Sequence, residues 1–189
     1  SLALMALMLA LAANVGVSTM VGSFRSTFTG WLDQRLASDL YITTRTPAEA
    51  VAFQEFVSAE VEGILPIVSA EVLLAGSPGQ VFGVKDHEIY REHWPLLESV
   101  SDVWDRVAQG DGILVNEQLA RREKLRTGNT LQLAADFQFE IVGVYSDYGN
   151  PAGQAFINHE IFEKRYPYIK PLRFALNADN PSYVRDKIV

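Results

Sequence analysis

The hydrophobic positions of the N-terminal segment recur with the spacing of one helix face. Mostly apolar side chains follow one another at alternating intervals of four and three residues, the repeat of a helix that packs along one seam. The members of this seam are Ala10, Asn14, Val17, Val21, Phe24, Phe28 and Trp31. Residues 1–24 contain no charged side chain, whereas Arg25 and Asp33 lie on other faces further along. The pattern predicts one continuous helix over residues 1–38, apolar on all sides at first and on one side later.

This helix is long enough to cross a membrane. A spanning helix needs about 20 mostly apolar residues, and residues 1–24 meet that requirement. A cleavable secretory leader is the alternative, because Ala10-Leu11-Ala12 has the small-x-small form of a cleavage site. A first helix buried on the core of a soluble protein is the third interpretation. The seam runs through the supposed cleavage point, which favours a membrane helix that continues outside the bilayer as a stalk.

The pattern after residue 38 begins with a strand and a helix. Residues 39–45 predict a strand with Leu40 and Ile42 on one face. Thr46, Pro47 and Glu49 then combine an N-cap, a proline at the first helical position and a glutamate three residues after the cap. We expect this helix to end at Gly63. Its core-facing residues are predicted to be Ala50, Phe53, Val57 and Val61.

Short β-rich and helical runs alternate through the rest of the chain. Two strands are predicted on either side of a turn at residues 76–79, followed by an irregular or briefly helical stretch. Val100, Val103 and Val107 predict a short helix that Gly110 ends. Further strands are expected near residues 112, 130, 139, 154 and 172. Helices are expected after the strands near residues 112, 154 and 172. In the second of these helices, Ile161 and Phe162 are expected to face inward.

These elements predict an α+β class domain, a mixed α/β fold of two subdomains behind the long helix. The last strand-turn-helix unit repeats the design of the first, so the two are expected to lie side by side. We therefore divide the domain into a first subdomain of residues 39–86 and 170–189 and an inserted, more β-rich subdomain of residues 87–169. The chain begins with Ser1 and stops within a helical pattern, which indicates a piece of a longer protein.

Composition narrows the classes of function. The 189 residues suffice for one sizeable core. A net charge of -7 with no basic stripe argues against nucleic acid as a partner. The absence of cysteine excludes disulfides, thiol nucleophiles and cysteine metal sites.

No constellation of catalytic residues is recognisable. His87 and His93 are six positions apart and His159 is distant, so each is better interpreted as a surface or cap residue than as a metal ligand. The glycine-rich run at residues 76–83 lacks the lysine of a phosphate loop, and no serine lies in a Gly-x-Ser-x-Gly elbow. We therefore predict no catalytic, cofactor-binding or metal site and no cofactor. An unrecognised hydrolase site remains the least favoured hypothesis.

One loop has the composition of a contact surface. Asp147, Tyr148, Asn150 and Pro151 lie in the segment SDYGNPAG. Such residues occur in binding loops, but the same residues are what any tight turn requires. Both interpretations stay open.

Three segments together resemble a known family. GSFRSTFTGWLDQRLASDLYI after an apolar helix, GILVNEQLARREKLRTGNTLQL and FEIVGVYSDYG resemble, in that order, the end of a transmembrane helix and the periplasmic core domain of FtsX-like and MacB-like ABC transporter permeases. The likeness is to the second half of long, duplicated permeases. It covers residues 17–153, and the part from Gln154 onward matches in general pattern alone.

The resemblance implies a non-enzymatic role. A cytoplasmic ATP-binding subunit would drive the motion, and the extracytoplasmic domain would transmit it or engage a partner or an amphiphilic cargo. The expected location is the bacterial inner membrane, with the domain on the periplasmic or extracellular side. Expected partners are that subunit, membrane lipid, and a second helix or copy of the domain, as a dimer or pseudo-dimer.

Helix packing and coupling are assigned to Val17, Val21, Phe24, Phe28 and Trp31. The alternative is a secreted or membrane-anchored periplasmic binding module with a cleaved leader that uses the loop at residues 146–153.

Overall fold

A computed structural model describes residues 2–35, 38, 40–61, 63–147, 150–178 and 180–188. For residues 30–35, 181, 187 and 188 it describes the backbone alone.

The N-terminal segment forms one long helix, α1 (Leu2–Arg35), of 34 residues. At 1.5 Å per residue it is about 50 Å long. The predicted helix is confirmed up to Arg35, and Leu36 and Ala37 lie outside the described residues. Glycines at 16 and 22 lie inside the helix without ending it, since a single glycine costs only about 1 kcal/mol of helix stability.

The first strand-helix unit begins as predicted and ends earlier. Strand β1 (Leu40–Thr43) precedes α2 (Pro47–Val57), whose N-cap Thr46 accepts a hydrogen bond from the Glu49 amide. The predicted end at Gly63 is wrong. Ser58 caps the helix, and Gly63 begins β2 (Gly63–Leu74) because its backbone pairs with Asn177 of a distant strand.

The following hairpin has a tighter turn than predicted. Strand β2 turns through Ala75 and Gly76 into β3 (Ser77–Val84), and both turn residues have positive φ angles, 50° and 83°. Pro78 and Gly79, predicted in the turn, lie within β3. A Cβ at residue 79 would come 2.6 Å from the Gly153 carbonyl oxygen, so glycine permits β3 to approach its other neighbour.

The remaining elements are short. They are α3 (Glu88–His93), β4 (Leu96–Ser99), α4 (Val103–Gln109), β5 (Gly112–Asn116), α5 (Glu117–Glu123), β6 (Thr130–Ala134), β7 (Phe137–Tyr145), β8 (Gly153–Asn158), α6 (His159–Arg165), β9 (Arg173–Asn177) and α7 (Pro181–Ile188). Helix α4 ends at Gly110 as predicted, although Val100 precedes it. Strand β4 was not predicted, since it is a short edge strand with little burial.

Within the described residues, nine strands form one sheet in the order β1-β9-β2-β3-β8-β5-β7-β4, with β6 also paired to β7. Strand β9 lies between β1 and β2 and is antiparallel to both. The first and last units therefore lie side by side, as expected from their common design, and the mixed α/β fold class is confirmed.

Strand β2 belongs to two sections of this sheet. Residues 63–67 pair with β9, and residues 68–74 pair with β3. The small section of β1, β9 and the start of β2 is covered by α2 and α7, with Phe174, Leu176 and Val57 in its core. The larger section has its own core around Ile113, Ile141 and Ile157. The proposed division at residues 86 and 170 stays a prediction.

Candidate functional site

The helix seam is exposed wherever its side chains are described. Val17 and Val21 are each 60% exposed, and Phe24 is 58% and Phe28 41% exposed. The rings of Phe24 and Phe28 are stacked, with centroids 5.8 Å apart and planes within 8°. The side chain of Trp31 lies outside the described residues. Phe24 and Phe28 therefore form one continuous outward-facing surface that the domain core does not cover.

The start of α1 has the properties of a membrane span. Leu2–Thr29 contains a stretch of mean hydropathy 2.0 in which no side chain is buried within the chain. Apolar surface of this extent is stable in water only when something covers it. Its length and composition fit a bilayer crossing.

The predicted contact loop is held by an asparagine-aspartate pair. The Asn150 side chain donates to Oδ2 of Asp147 at 2.7 Å, and its Oδ1 accepts from the Ala152 amide. Asp147 is buried, whereas Pro151 is exposed. Tyr148 lies outside the described residues. The turn interpretation accounts for Asn150, and the Asp147 side chain is directed to the interior.

A buried asparagine that the sequence analysis did not single out anchors this loop. Asn116 is fully buried at the end of β5, and its Nδ2 donates to the Ala152 carbonyl at 2.8 Å. Its Oδ1 accepts from the Leu119 amide at 3.1 Å, which caps α5, and from the Gln154 amide at 3.0 Å. The sequence signal was an asparagine between a strand and a helix, a typical N-cap position.

A cavity of about 570 Å³ lies beside the loop, over the face of β9, β2, β3 and β8. Six aromatic residues line it: Tyr41, Phe82, Tyr90, Trp94, Tyr145 and Phe156. The Phe82 and Phe156 rings are stacked at 5.0 Å, and Trp94 meets Phe156 edge-on at 5.1 Å. The cavity lined by these residues is called the aromatic cavity below.

Polar groups occupy defined places in the aromatic cavity. The Tyr145 hydroxyl donates to Oε1 of Gln154 at 3.1 Å, and Nε2 of Gln154 donates to Oε1 of Gln80 at 3.4 Å. Burial raises the pKa of Tyr90 to about 12, so this hydroxyl stays protonated at neutral pH. Asp147 and Arg173 are the two charged residues of the lining.

The histidines have structural surroundings. Nδ1 of His87 accepts from the Ile89 amide and caps α3, which agrees with the cap interpretation. His93 is exposed on the last turn of α3, and His159 begins α6. In the described part of the chain, no three histidine, aspartate or glutamate side chains are placed to hold a metal ion.

Comparison with known proteins identifies a family and a relative that match most of this chain. The sequence profile of the family described as MacB-like periplasmic core domain matches residues 1–182. The uncharacterized ABC transporter permease protein Rv0987 of Mycobacterium tuberculosis is 29% identical over 175 residues, which cover 81% of this chain. The chain spans 20% of the length of that relative.

Two solved structures have a similar fold. The periplasmic region of MacB from Actinobacillus actinomycetemcomitans superposes with a TM-score of 0.55 at 13% identity, covering 78% of each chain. The extracellular domain of the noncanonic ABC-type transporter YknZ from Gram-positive bacteria superposes with a TM-score of 0.57 at 8% identity, covering 77% of this chain and 86% of that one.

Proposed function

Because the chain belongs to the MacB-like periplasmic core domain family of ABC transporter permeases, we propose that it transmits motion between a membrane helix and an extracytoplasmic domain. Helix α1 crosses the bilayer with its first part and forms a stalk with its last turns. The domain after it engages a partner or an amphiphilic cargo. The chain itself is non-catalytic in this proposal.

The observation that carries the proposal is the uninterrupted helix with an exposed seam. Thirty-four residues without a break support a stiff connection from the apolar segment toward the domain. The stacked Phe24 and Phe28 rings supply a hydrophobic face that can pack against a second helix. Interfaces of packed helices change between discrete arrangements, so a displacement on one side of the membrane is passed on as a rigid-body movement.

The remaining partners follow from this arrangement. A cytoplasmic ATP-binding subunit supplies the energy, and membrane lipid surrounds residues 2–29. The second helix comes from the same longer permease or from another copy, which gives a pseudo-dimer or a dimer. The location is the bacterial inner membrane, with the domain on its outer side. The loop residues Asn150, which is half-buried, and Pro151, which is exposed, are proposed as a contact surface.

The seam is tested by removing its aromatic rings in the full permease. We expect Phe24→Ala combined with Phe28→Ala to lower the ATPase stimulation that depends on the permease, because the helix loses its packing surface while its backbone is retained. The Asp substitutions at the same two positions should abolish stimulation, since a carboxylate is costly in a helix interface or in lipid. ATP hydrolysis by the reconstituted complex is the measurement.

A matched control lies on the opposite face of the same helix. Ser26 is two positions from each phenylalanine and is exposed, so Ser26→Ala should leave stimulation unchanged. Membrane extraction of each variant verifies that it is inserted. Normal coupling in both double variants would refute the role of the seam.

A further inference from the structure

One strongly polar residue lies in the apolar first part of α1. Asn14 is exposed on the helix and lies near the middle of Leu2–Thr29, about 2 Å along the axis from its centre. If this stretch crosses the bilayer as proposed above, the Asn14 side chain lies at the depth where water is scarcest. A carboxamide at this depth is costly unless its hydrogen-bonding groups find partners.

Helix α1 does not supply these partners. The Thr19 and Thr27 hydroxyls donate to the carbonyls four residues earlier, at 2.8 and 3.0 Å. Within the described helix, Leu2–Arg35, the side chain of Asn14 forms no such bond. A carboxamide has two N–H groups and an acceptor oxygen, which is more than one carbonyl of its own helix can satisfy. The missing partner must therefore come from outside the helix.

The seam places this carboxamide at a defined heptad position. Its steps of four and three residues make Asn14, Val21 and Phe28 successive a positions, with Val17 and Phe24 at d. In a parallel pair of such helices, each a residue lies beside the same residue of the other helix. A single asparagine at an a position fixes register and oligomeric state in coiled coils.

Small side chains on both sides of Asn14 permit close contact between helices. Ala10 and Ser18 lie four residues before and after it, at neighbouring positions of the same face. Gly22 continues this spacing. Small residues at such intervals let the backbones of membrane helices approach each other, and polar side chains then form hydrogen bonds across the interface.

A second copy of the chain is the partner that matches these features. Two copies of one membrane protein have the same orientation, so their α1 helices are parallel and their Asn14 side chains lie at equal depth. One carboxamide donates and accepts at the same time, so two of them are complementary across a twofold axis. A different helix would need its own polar side chain at this depth, whereas a second copy always brings one.

We propose that α1 pairs in parallel with α1 of a second copy of this chain, in the register that joins the two Asn14 carboxamides by hydrogen bonds. This inference rests on the proposed crossing of the membrane by α1. It adds the identity of the second helix, the depth of the contact and the residue that sets the register. In the same register, Phe24 and Phe28 meet their own counterparts further along the seam.

Single cysteines test which residues face each other. The full permease, in a variant without other cysteines, is reconstituted in lipid vesicles and oxidised, and disulfides between chains are resolved on a non-reducing gel. We expect Val17→Cys and Val21→Cys, both in the seam, to crosslink at least about fivefold more than Ser23→Cys on the opposite face, because a disulfide requires close Cβ atoms. If a different helix covers the seam, neither seam position gives a crosslinked pair of chains, and this result would overturn the proposal.

Substitutions of Asn14 test the residue that sets the register. Asn14→Leu should weaken the association of two copies about three- to tenfold, measured by energy transfer between donor- and acceptor-labelled chains in vesicles. Asn14→Gln retains a carboxamide and should keep most of the association. Ser23→Leu makes a polar-to-apolar change on the opposite face and is the matched control, with no expected effect. Unchanged association in Asn14→Leu, or an equal loss in Ser23→Leu, would contradict the role of Asn14.

Thiol accessibility separates a failure of pairing from a failure of the membrane crossing. The cysteine of Val17→Cys is expected to resist a membrane-impermeant maleimide in intact vesicles and to react in denaturing detergent. Labelling in intact vesicles would contradict the crossing and with it both proposals. Protection of this cysteine without crosslinking between chains would reject the pairing alone and leave the proposed function standing.

Discussion

At the scale of single residues, two asparagines connect strands to helices in the same way. Asn116 ends β5 and caps α5, and Asn158 ends β8 and caps α6. Each also reaches a distant carbonyl with its Nδ2, Ala152 for Asn116 and Ala108 for Asn158. Asparagine suits this position because one amide group donates and accepts at the same time.

Asn116→Ala is expected to destabilise the chain by about 2–4 kcal/mol, because one buried and two partly buried backbone groups lose their partner. Thermal and urea unfolding of the chain in detergent measures the effect. Asn129 is the matched control. Its Oδ1 accepts one bond from the Arg126 amide in an exposed turn, so its replacement by alanine should cost less than about 1 kcal/mol. An equal loss of unfolding free energy in both variants would contradict the stabilising role of the hydrogen bonds made by Asn116.

Only half of the role of Asn116 could be derived from the sequence. Its position between a β-rich run and the segment EQLARRE indicates a helix cap, which local spacing reveals. The bonds to Ala152 and Gln154 depend on β8 lying beside β5, a non-local contact with no signal in the residues around Asn116. The inward position of Asp147 escaped prediction for the same reason.

At the scale of elements, starts were easier to predict than ends. Thr46, Pro47 and Glu49 fix the beginning of α2 by contacts within one turn, and the Glu49 carboxylate also accepts from the Arg45 amide at 2.8 Å. The end of α2 depends on β9, because the residues from Gly63 onward pair with that strand. Local capping chemistry is visible in a sequence, whereas competition from a distant strand is not.

The β2–β3 hairpin offers a stabilising substitution. Ala75 adopts a left-handed φ of 50°, which alanine tolerates poorly and asparagine tolerates well. Asn-Gly is a preferred pair for a two-residue turn with two positive φ angles. We expect Ala75→Asn to raise the unfolding free energy by about 0.5–1 kcal/mol, measured by urea denaturation. Gly76→Ala should act in the opposite direction, and a loss of stability in Ala75→Asn would contradict this turn geometry.

At the scale of the whole molecule, exposed ion pairs connect the elements of the larger sheet section. Arg106 of α4 holds Glu140 of β7 at 3.0 Å, and Arg165 of α6 holds Asp136 at 2.9 Å. Hydrogen bonds from these guanidinium groups lower the pKa of both carboxyl groups. A lowered pKa contributes stability above the ordinary pKa of the group, and this contribution is lost as the pH falls through the folded-state value.

This linkage predicts a pH-dependent difference between two proteins. The double variant Glu140→Gln, Asp136→Asn should melt at a lower temperature than the parent at about pH 7. The difference should shrink as the pH falls through the lowered pKa values of the two parent carboxyl groups, because below those values the parent is protonated too. Because the pairs are exposed, 1 M salt should reduce the difference at neutral pH. A difference that persists at acid pH would assign the effect to packing.

The sequence predicts the overall architecture better than it predicts the aromatic cavity. Alternating runs of strand and helix, and the common design of the first and last units, indicated the mixed fold and the proximity of the two ends. The aromatic cavity combines Phe82, Trp94 and Phe156 from separate runs. Each aromatic residue alone is typical of a core, so their convergence depends on the strand order, which the sequence pattern did not provide.

The pairing of β1 with β9 has a consequence for biosynthesis. Leu40 pairs with Leu176, which is far from it in the sequence. Because β9 fills the gap between β1 and β2, the small sheet section cannot be completed before Asn177, the last residue of β9, has been synthesised. During synthesis, β1 and the first half of β2 therefore lack their neighbour, and chaperones or proteases would meet the nascent domain in this interval.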